Sequence, residues 1–165
     1  MNDKHEVTVA WADPAQLYAA HKQSTSIDLF RAVKDGRMPI EPCMALLGAK
    51  LTKVEPGEIT LVLTPAEQHY DQSGTIQAGI LAALTDTAAG YAIHTRVPMG
   101  VRCATLELQV SLIKPLTVAS GRISVVGRAI RIGARTATAE AKVLDSAGEL
   151  CSLMSSTFIV LPPAL

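Results

Sequence analysis

From residue 104 onward the chain alternates apolar and polar positions with period two. The apolar members are Ala104, Leu106, Leu108, Val110 and Leu112; Ile123 and Val125; Ala137, Ala139, Ala141 and Val143; then Leu150, Met154, Phe158 and Val160. This alternation predicts four strands with one buried face each, parted by Pro115 to Gly121, Ile132-Gly133 and Ser146-Ala147-Gly148. Glu58 to Thr64 repeats the pattern through Ile59, Leu61 and Leu63, and Met44 to Glu55 also has strand character. The Glu55-Pro56-Gly57 step between them predicts a hairpin. Between the two groups of strands lies IQAGILAALTDTAAGYAIHT, Ile76 to Thr95, whose length and small apolar residues suit a buried helix. A bilayer span needs ~20 such residues. Asp86 at the middle and His94 near the end argue against a membrane.

Upstream, Asp13-Pro14 reads as an N-cap followed by proline at the first helical position. Leu17, Ala20, Ile27 and Phe30 continue a helical stripe to Asp35-Gly36, weakened at Ser24-Thr25-Ser26. Pro39 and Pro42 cannot continue it, because each lacks a backbone N–H and restricts the residue before it. The expected organisation is an N-terminal helical extension, residues 1–42, and a main domain, residues 43–165. Strands flanking one apolar helix define an α+β class in which an antiparallel sheet wraps that helix.

Composition narrows the function. Forty-eight per cent apolar residues fill a core and exclude disorder. Fifteen basic and fifteen acidic residues give zero net charge, which argues against a duplex nucleic acid as partner. Six aromatic residues are too few to stack a single strand. The zero is a cancellation. Residues 1–100 hold 8 basic and 11 acidic side chains, the remainder 7 and 4. Arg102, Lys114, Arg122, Arg128, Arg131 and Arg135 stand against Glu107 alone between residues 102 and 135. The three cysteines, Cys43, Cys103 and Cys151, lie far apart with no C-x-x-C, as in a reducing compartment. No apolar leader opens the chain, and a cytoplasmic location is the expectation. The four histidines show no metal-ligand spacing, so no metal is expected.

On the central helix Gly79, Ala82, Ala83, Asp86, Ala89, Gly90 and Ile93 share one stripe. Asp86 is its one acid, set among residues small enough for a ligand, a partner helix or another backbone to come close. A lone mid-helix aspartate also serves simply as a solvent-facing or backbone-bonding group. Ahead of it, Ser73 to Gly79 leads into the helix, whose free N–H groups and positive dipole end can polarise a carbonyl oxygen. A preorganised donor of this kind is worth about 2.7 to 4 kcal/mol at a developing oxyanion. An ordinary loop-to-helix junction has the same spacing.

Three segments carry a resemblance: Asp71-Gln72-Ser73-Gly74-Thr75-Ile76-Gln77-Ala78-Gly79; Leu84-Thr85-Asp86-Thr87-Ala88; and Thr105-Leu106-Glu107-Leu108 with Lys114-Pro115. Together with Val143-Leu144-Asp145-Ser146-Ala147-Gly148 they resemble the hot-dog-fold acyl-CoA thioesterases of the phenylacetic-acid-degradation type, over roughly residues 44 to 161. The resemblance implies a hot-dog fold and hydrolysis of an acyl-CoA thioester. Asp86 falls on the catalytic carboxylate, acting as nucleophile or general base. Ala78 falls on the residue whose N–H polarises the thioester carbonyl, and Thr105 on the hydroxyl that orients water. The site is implied to lie between subunits of a homodimer or homotetramer, with coenzyme A as part of the substrate and no separate cofactor.

The chain departs from the pattern at H-G-G, here Gln77-Ala78-Gly79, and at an upstream Asn, here Asp71. Gln77 hydrogen-bonds but does not titrate, and Asp71 and Gly79 are expected on the substrate side of the site. Guanidinium groups bind phosphate bidentately. Arg131, Gly133 and Arg135, at a strand-to-strand turn, are therefore the candidates for the coenzyme A phosphates, whereas Arg122 and Arg128 equally suit a solvated sheet edge. Two rivals stay open: a non-catalytic acyl-CoA or fatty-ligand binding protein, and a 3-hydroxyacyl thioester dehydratase using His69. The scarcity of aromatics predicts an aliphatic-lined tunnel for the acyl group. The N-terminal helix is expected over that pocket or at an interface.

Overall fold

A computed structural model describes residues 4–161. Two helices open the fold, α1 (Pro14–Gln23) and α2 (Ser26–Lys34). Asp13 caps α1 by accepting the Ala15 N–H, with Pro14 at the first helical position. The expected single helix is broken at Ser24-Thr25. Ser24 turns its hydroxyl back onto the Ala20 carbonyl, and Thr25 restarts the helix as the cap of α2, accepting the Asp28 N–H. A side chain that bonds backbone in this way competes with helix continuation.

The strand expected from Met44 is also corrected. Pro42–Leu47 forms a short helix, α3, which Gly48 terminates in the left-handed conformation at φ 72°. Proline at the start and glycine just past the end are its signals. Six residues were too few to show helical periodicity. The hairpin β1 (Lys50–Glu55) and β2 (Glu58–Leu63) then begins at Lys50. After it come the long helix α4 (Ala78–His94) and four strands, β3 (Arg102–Leu112), β4 (Ile123–Ile132), β5 (Thr136–Leu144) and β6 (Leu150–Leu161).

The strands form one antiparallel sheet in the order β1-β2-β4-β5-β6-β3, with α4 against its concave face. This is the α+β hot-dog fold. The helix lies very close to the sheet because residues on both sides are small. Ala139 and Ala141 of β5 and Ala88 and Ala89 of α4 are all buried. A Cβ added to Gly127 of β4 would sit 2.3 Å from the Ala88 carbonyl carbon and oxygen. The abundant alanine thus sets the helix-to-sheet distance. It also divides the small-residue stripe of α4. Ala89, Gly90 and Ile93 are closed over, Gly90 against Phe158, while Gly79 stays exposed and Ala82, Ala83 and Asp86 half-exposed.

Irregularities in pairing modify the alternation in four places, two of them in β3 and β4. In β3, Thr105 pairs with Phe158 and Glu107 with Thr157, so Leu106 is an extra residue. In β4, Ala129 pairs with Ala139 and Arg131 with Thr138, leaving Ile130 extra. The first bulge overturns part of the expected face. Ala104 and Leu106 do not share a face with Leu108, Val110 and Leu112; Thr105 turns toward α4 instead.

Candidate active site

Asp86 sits at the middle of α4, half-exposed, and its Oδ1 accepts a 2.8 Å hydrogen bond from the Thr105 hydroxyl of β3. The bulge at Leu106 makes that meeting possible, since bulges re-aim a side chain next to them. Two residues 19 apart in sequence, from a helix and an edge strand, thus form a carboxylate–hydroxyl pair. Such a pair can hold and deprotonate a water, or attack a carbonyl directly.

The N-terminus of α4 is the second element. Gln77 is its cap, its Oε1 accepting the Ile80 N–H at 3.2 Å, while its own N–H is bound by the His69 carbonyl. The N–H groups of Ala78 and Gly79 have no intrahelical acceptor, and both residues are exposed. Gly79 leaves room for the cap, because a Cβ there would lie 2.7 Å from Gln77 Oε1. Asp71 braces the loop before the helix, accepting the N–H groups of Ser73 and Thr75 on its Oδ1. Ala78 and Asp86 are eight residues apart on one helix, roughly 12 Å, so one carbonyl cannot meet both within a single chain.

His69 is buried and fully committed. Its Nδ1 accepts the Ala66 N–H at 3.0 Å, and its Nε2–H donates to the Leu47 carbonyl at 3.1 Å. A ring with both nitrogens engaged in folding the loop has no free position to move a substrate proton, which disfavours the dehydratase reading.

Arg131 and Arg135 are exposed around the β4–β5 turn, where the Gly133 N–H is bound by the Thr136 carbonyl. Register runs from Ile132 through Ala137 and Phe158 to Thr105, so this turn lies at the Thr105 end of the sheet. Neither arginine makes an ion pair among the described residues, whereas Arg128 donates through Nε to Glu58 at 2.7 Å. Arg128 is edge structure. Its pairing, after that of Lys53, holds the Glu58 carboxyl below its ordinary value. Among the described residues no group of His, Cys, Asp and Glu could hold a metal ion, and no helix is long and apolar enough to cross a membrane.

Sequence reasoning missed the cluster at the far end of α4. His94 Nε2 accepts the Cys103 N–H at 3.1 Å, and burial lowers its pKa to about 4, with His21 adding to the effect. The unfolded ring titrates near 6.5. Between those values the unfolded chain binds a proton that the folded chain refuses, so stability is lost as pH falls from about 6.5 toward 4. The contribution is on the order of 3 kcal/mol. His94→Gln retains an acceptor for the Cys103 N–H and is expected to flatten the melting temperature between pH 7 and 4.5. Parallel wild-type and variant curves would remove His94 from the acid response.

A sheet curled around one helix, with an acid at mid-helix and open N–H groups at the helix start, defines the hot-dog thioesterase class. A family model described as the thioesterase superfamily matches residues 73–152. A Halobacterium salinarum protein that carries an esterase name is 30% identical over 63% of this chain and 70% of its own. A point mutant of the phenylacetic acid degradation protein PaaI from Thermus thermophilus is 30% identical, with TM-score 0.66 over 73% of this chain and all of its own. Escherichia coli PaaI, 15% identical, has TM-score 0.72 over 86% of this chain and 99% of its own, and shows the shared fold. The chain belongs to the thioesterase superfamily, and these relatives support thioester hydrolysis as its class of reaction.

Proposed function

We propose that the protein hydrolyses an acyl-CoA thioester to the free acid and coenzyme A, working as a homodimer or homotetramer. The observation that carries this reading is the Thr105–Asp86 hydrogen bond at 2.8 Å. Asp86 either attacks the carbonyl carbon, forming an anhydride that water then opens, or takes a proton from a water aligned by Thr105. In either path the carbon–sulfur bond breaks and the thiolate leaves with a proton from solvent.

The carbonyl oxygen is held by the Ala78 N–H of a second protomer, since one chain cannot bring both groups to one carbonyl. The free edge of β3 supports such pairing. Leu106, Leu108, Leu112 and Ile113 are exposed there beside unpaired backbone, and an edge of that kind is a template for another chain. Arg131 and Arg135 take the coenzyme A phosphates. The setting is cytoplasmic.

A panel of acyl-CoA thioesters followed with a thiol reagent tests the reading. Thiol release is expected, and reversing both charges (Arg131→Glu with Arg135→Glu) is expected to raise KM roughly 10-fold or more, in line with the loss of charge-assisted contacts, with little change in kcat. Tight acyl-CoA binding without thiol release would make the protein a carrier rather than a hydrolase.

A further inference from the structure

A cavity of about 380 Å³ lies beneath the N-terminal helices. Its roof is α1 and α2, through Leu17, Tyr18, Leu29 and Phe30; its floor is the last turn of α4 and the first residues of β3, through Tyr91, His94 and Cys103. We propose that this cavity receives the acyl tail of the thioester, making α1 and α2 the elements that set which acyl groups are accepted. The proposal rests on the thioester reading of Asp86 and adds the substrate class: an uncharged, apolar acyl group of medium length.

Position links the cavity to the reacting pair. Thr87, the residue after Asp86, donates to Glu41 at 3.3 Å, and Glu41 lines the cavity. Cys103 lies two residues before Thr105, both turned toward α4, a strand step of roughly 7 Å. An acyl group whose carbonyl is at Asp86 would reach this space along α4 and β3, one strand step beyond Thr105.

The lining favours an apolar tail because most of it is ring and aliphatic surface, with Glu41 and Arg102 its charged members. Glu41 accepts from Thr87, and His94 Nε2 accepts the Cys103 N–H. Around them lie Leu17, Leu29, Val33 and the rings of Tyr18, Phe30 and Tyr91. Phe30 stacks on Tyr91 with centroids 4.1 Å apart, and His21 meets His94 edge-on at 5.7 Å. The proposed pocket differs from the aliphatic-lined tunnel expected from composition, since Tyr18, Phe30 and Tyr91 are three of the six aromatic residues in the chain. A dry cavity of roughly 150 Å³ accepts benzene. The volume here, about 380 Å³, has room for a tail of about eight to ten carbons and more, as a chain or as a ring on a short linker.

The test uses the full-length protein and two variants on α1, a helix with no buried side chain, so that folding does not depend on them. Leu17→Trp fills the cavity and Tyr18→Ala enlarges it. The readouts are kcat/KM for acetyl-, octanoyl- and dodecanoyl-CoA, and the Kd of octanoyl-CoA by calorimetry. Leu17→Trp is expected to lower the octanoyl-to-acetyl ratio of kcat/KM at least 10-fold and weaken octanoyl-CoA binding similarly. Tyr18→Ala is expected to raise the dodecanoyl-to-octanoyl ratio. Unchanged ratios and an unchanged Kd in both variants would overturn the proposal while leaving hydrolysis standing. Octanoyl-CoA binding that Leu17→Trp weakens, without thiol release from any thioester, would sustain the cavity assignment and overturn the hydrolytic reading. Neither binding nor hydrolysis of any panel member would overturn both.

Discussion

Asp86→Asn is expected to lower kcat for any hydrolysed acyl-CoA by roughly 10²- to 10⁴-fold, the range a positioned acid–base group supplies. The change is confined to charge. An asparagine Oδ1 still accepts the Thr105 hydroxyl that Asp86 accepts at 2.8 Å, so geometry and melting temperature are expected to stay close to wild type. What is lost is the ability to take a proton or to form an acyl bond. Asp86→Ala removes the acceptor as well and is expected to be at least as inactive. Thr105→Val is expected to cost less than either, because it removes alignment and leaves the carboxylate. Steady-state kinetics with the best substrate of the acyl-CoA panel, alongside thermal melts, checks all three. An asparagine variant that keeps more than a tenth of wild-type kcat would take the chemistry away from Asp86.

The second large effect is on stability. Gly127→Ala places a methyl 2.3 Å from the carbonyl group of Ala88 and 2.7 Å from the Ala89 nitrogen. Both are helix backbone, which cannot rotate aside as a side chain would. The cost is expected at about 3 kcal/mol or more, the upper part of the overpacking range. For a chain of this length that is a fall of roughly 6 to 12 °C in melting temperature, measured at one protein concentration so that association does not confound the comparison. Activity is expected to fall with it, since relief requires α4 to lift from β4 and carry Asp86 away from Thr105. A melting point within two degrees of wild type would show that helix and sheet are not in contact there.

Much of the sheet was legible because alternation is a local property. Ile59, Leu61 and Leu63 in β2 and Ala137 to Val143 in β5 declare their buried face without reference to any other strand. Asp86 was legible for a similar reason, as the one acid on an apolar helix. Its partner Thr105 came only from resemblance, because the alternation of β3 read without the bulge turns Thr105 outward. The break at Ser24-Thr25 and the six-residue α3 rest on caps and a left-handed glycine, features of one or two residues that periodicity averages away. The cavity was invisible for another reason: its walls are drawn from residues 14 to 42 and from 91 to 103, and nothing short of the folded chain brings them together.

The extra residue in β3 has a consequence for how this strand tolerates change. Leu106 is exposed and touches neither Asp86 nor the core, so many side chains would serve in its place. Its place outside the ladder matters more than its identity. If Leu106 instead took the place opposite Phe158, as regular pairing of the same strand would require, the Thr105 hydroxyl would turn to the opposite face. The reacting pair thus depends on where the ladder skips a residue as much as on two residue types, because Thr105 reaches α4 only while it, and not Leu106, sits opposite Phe158.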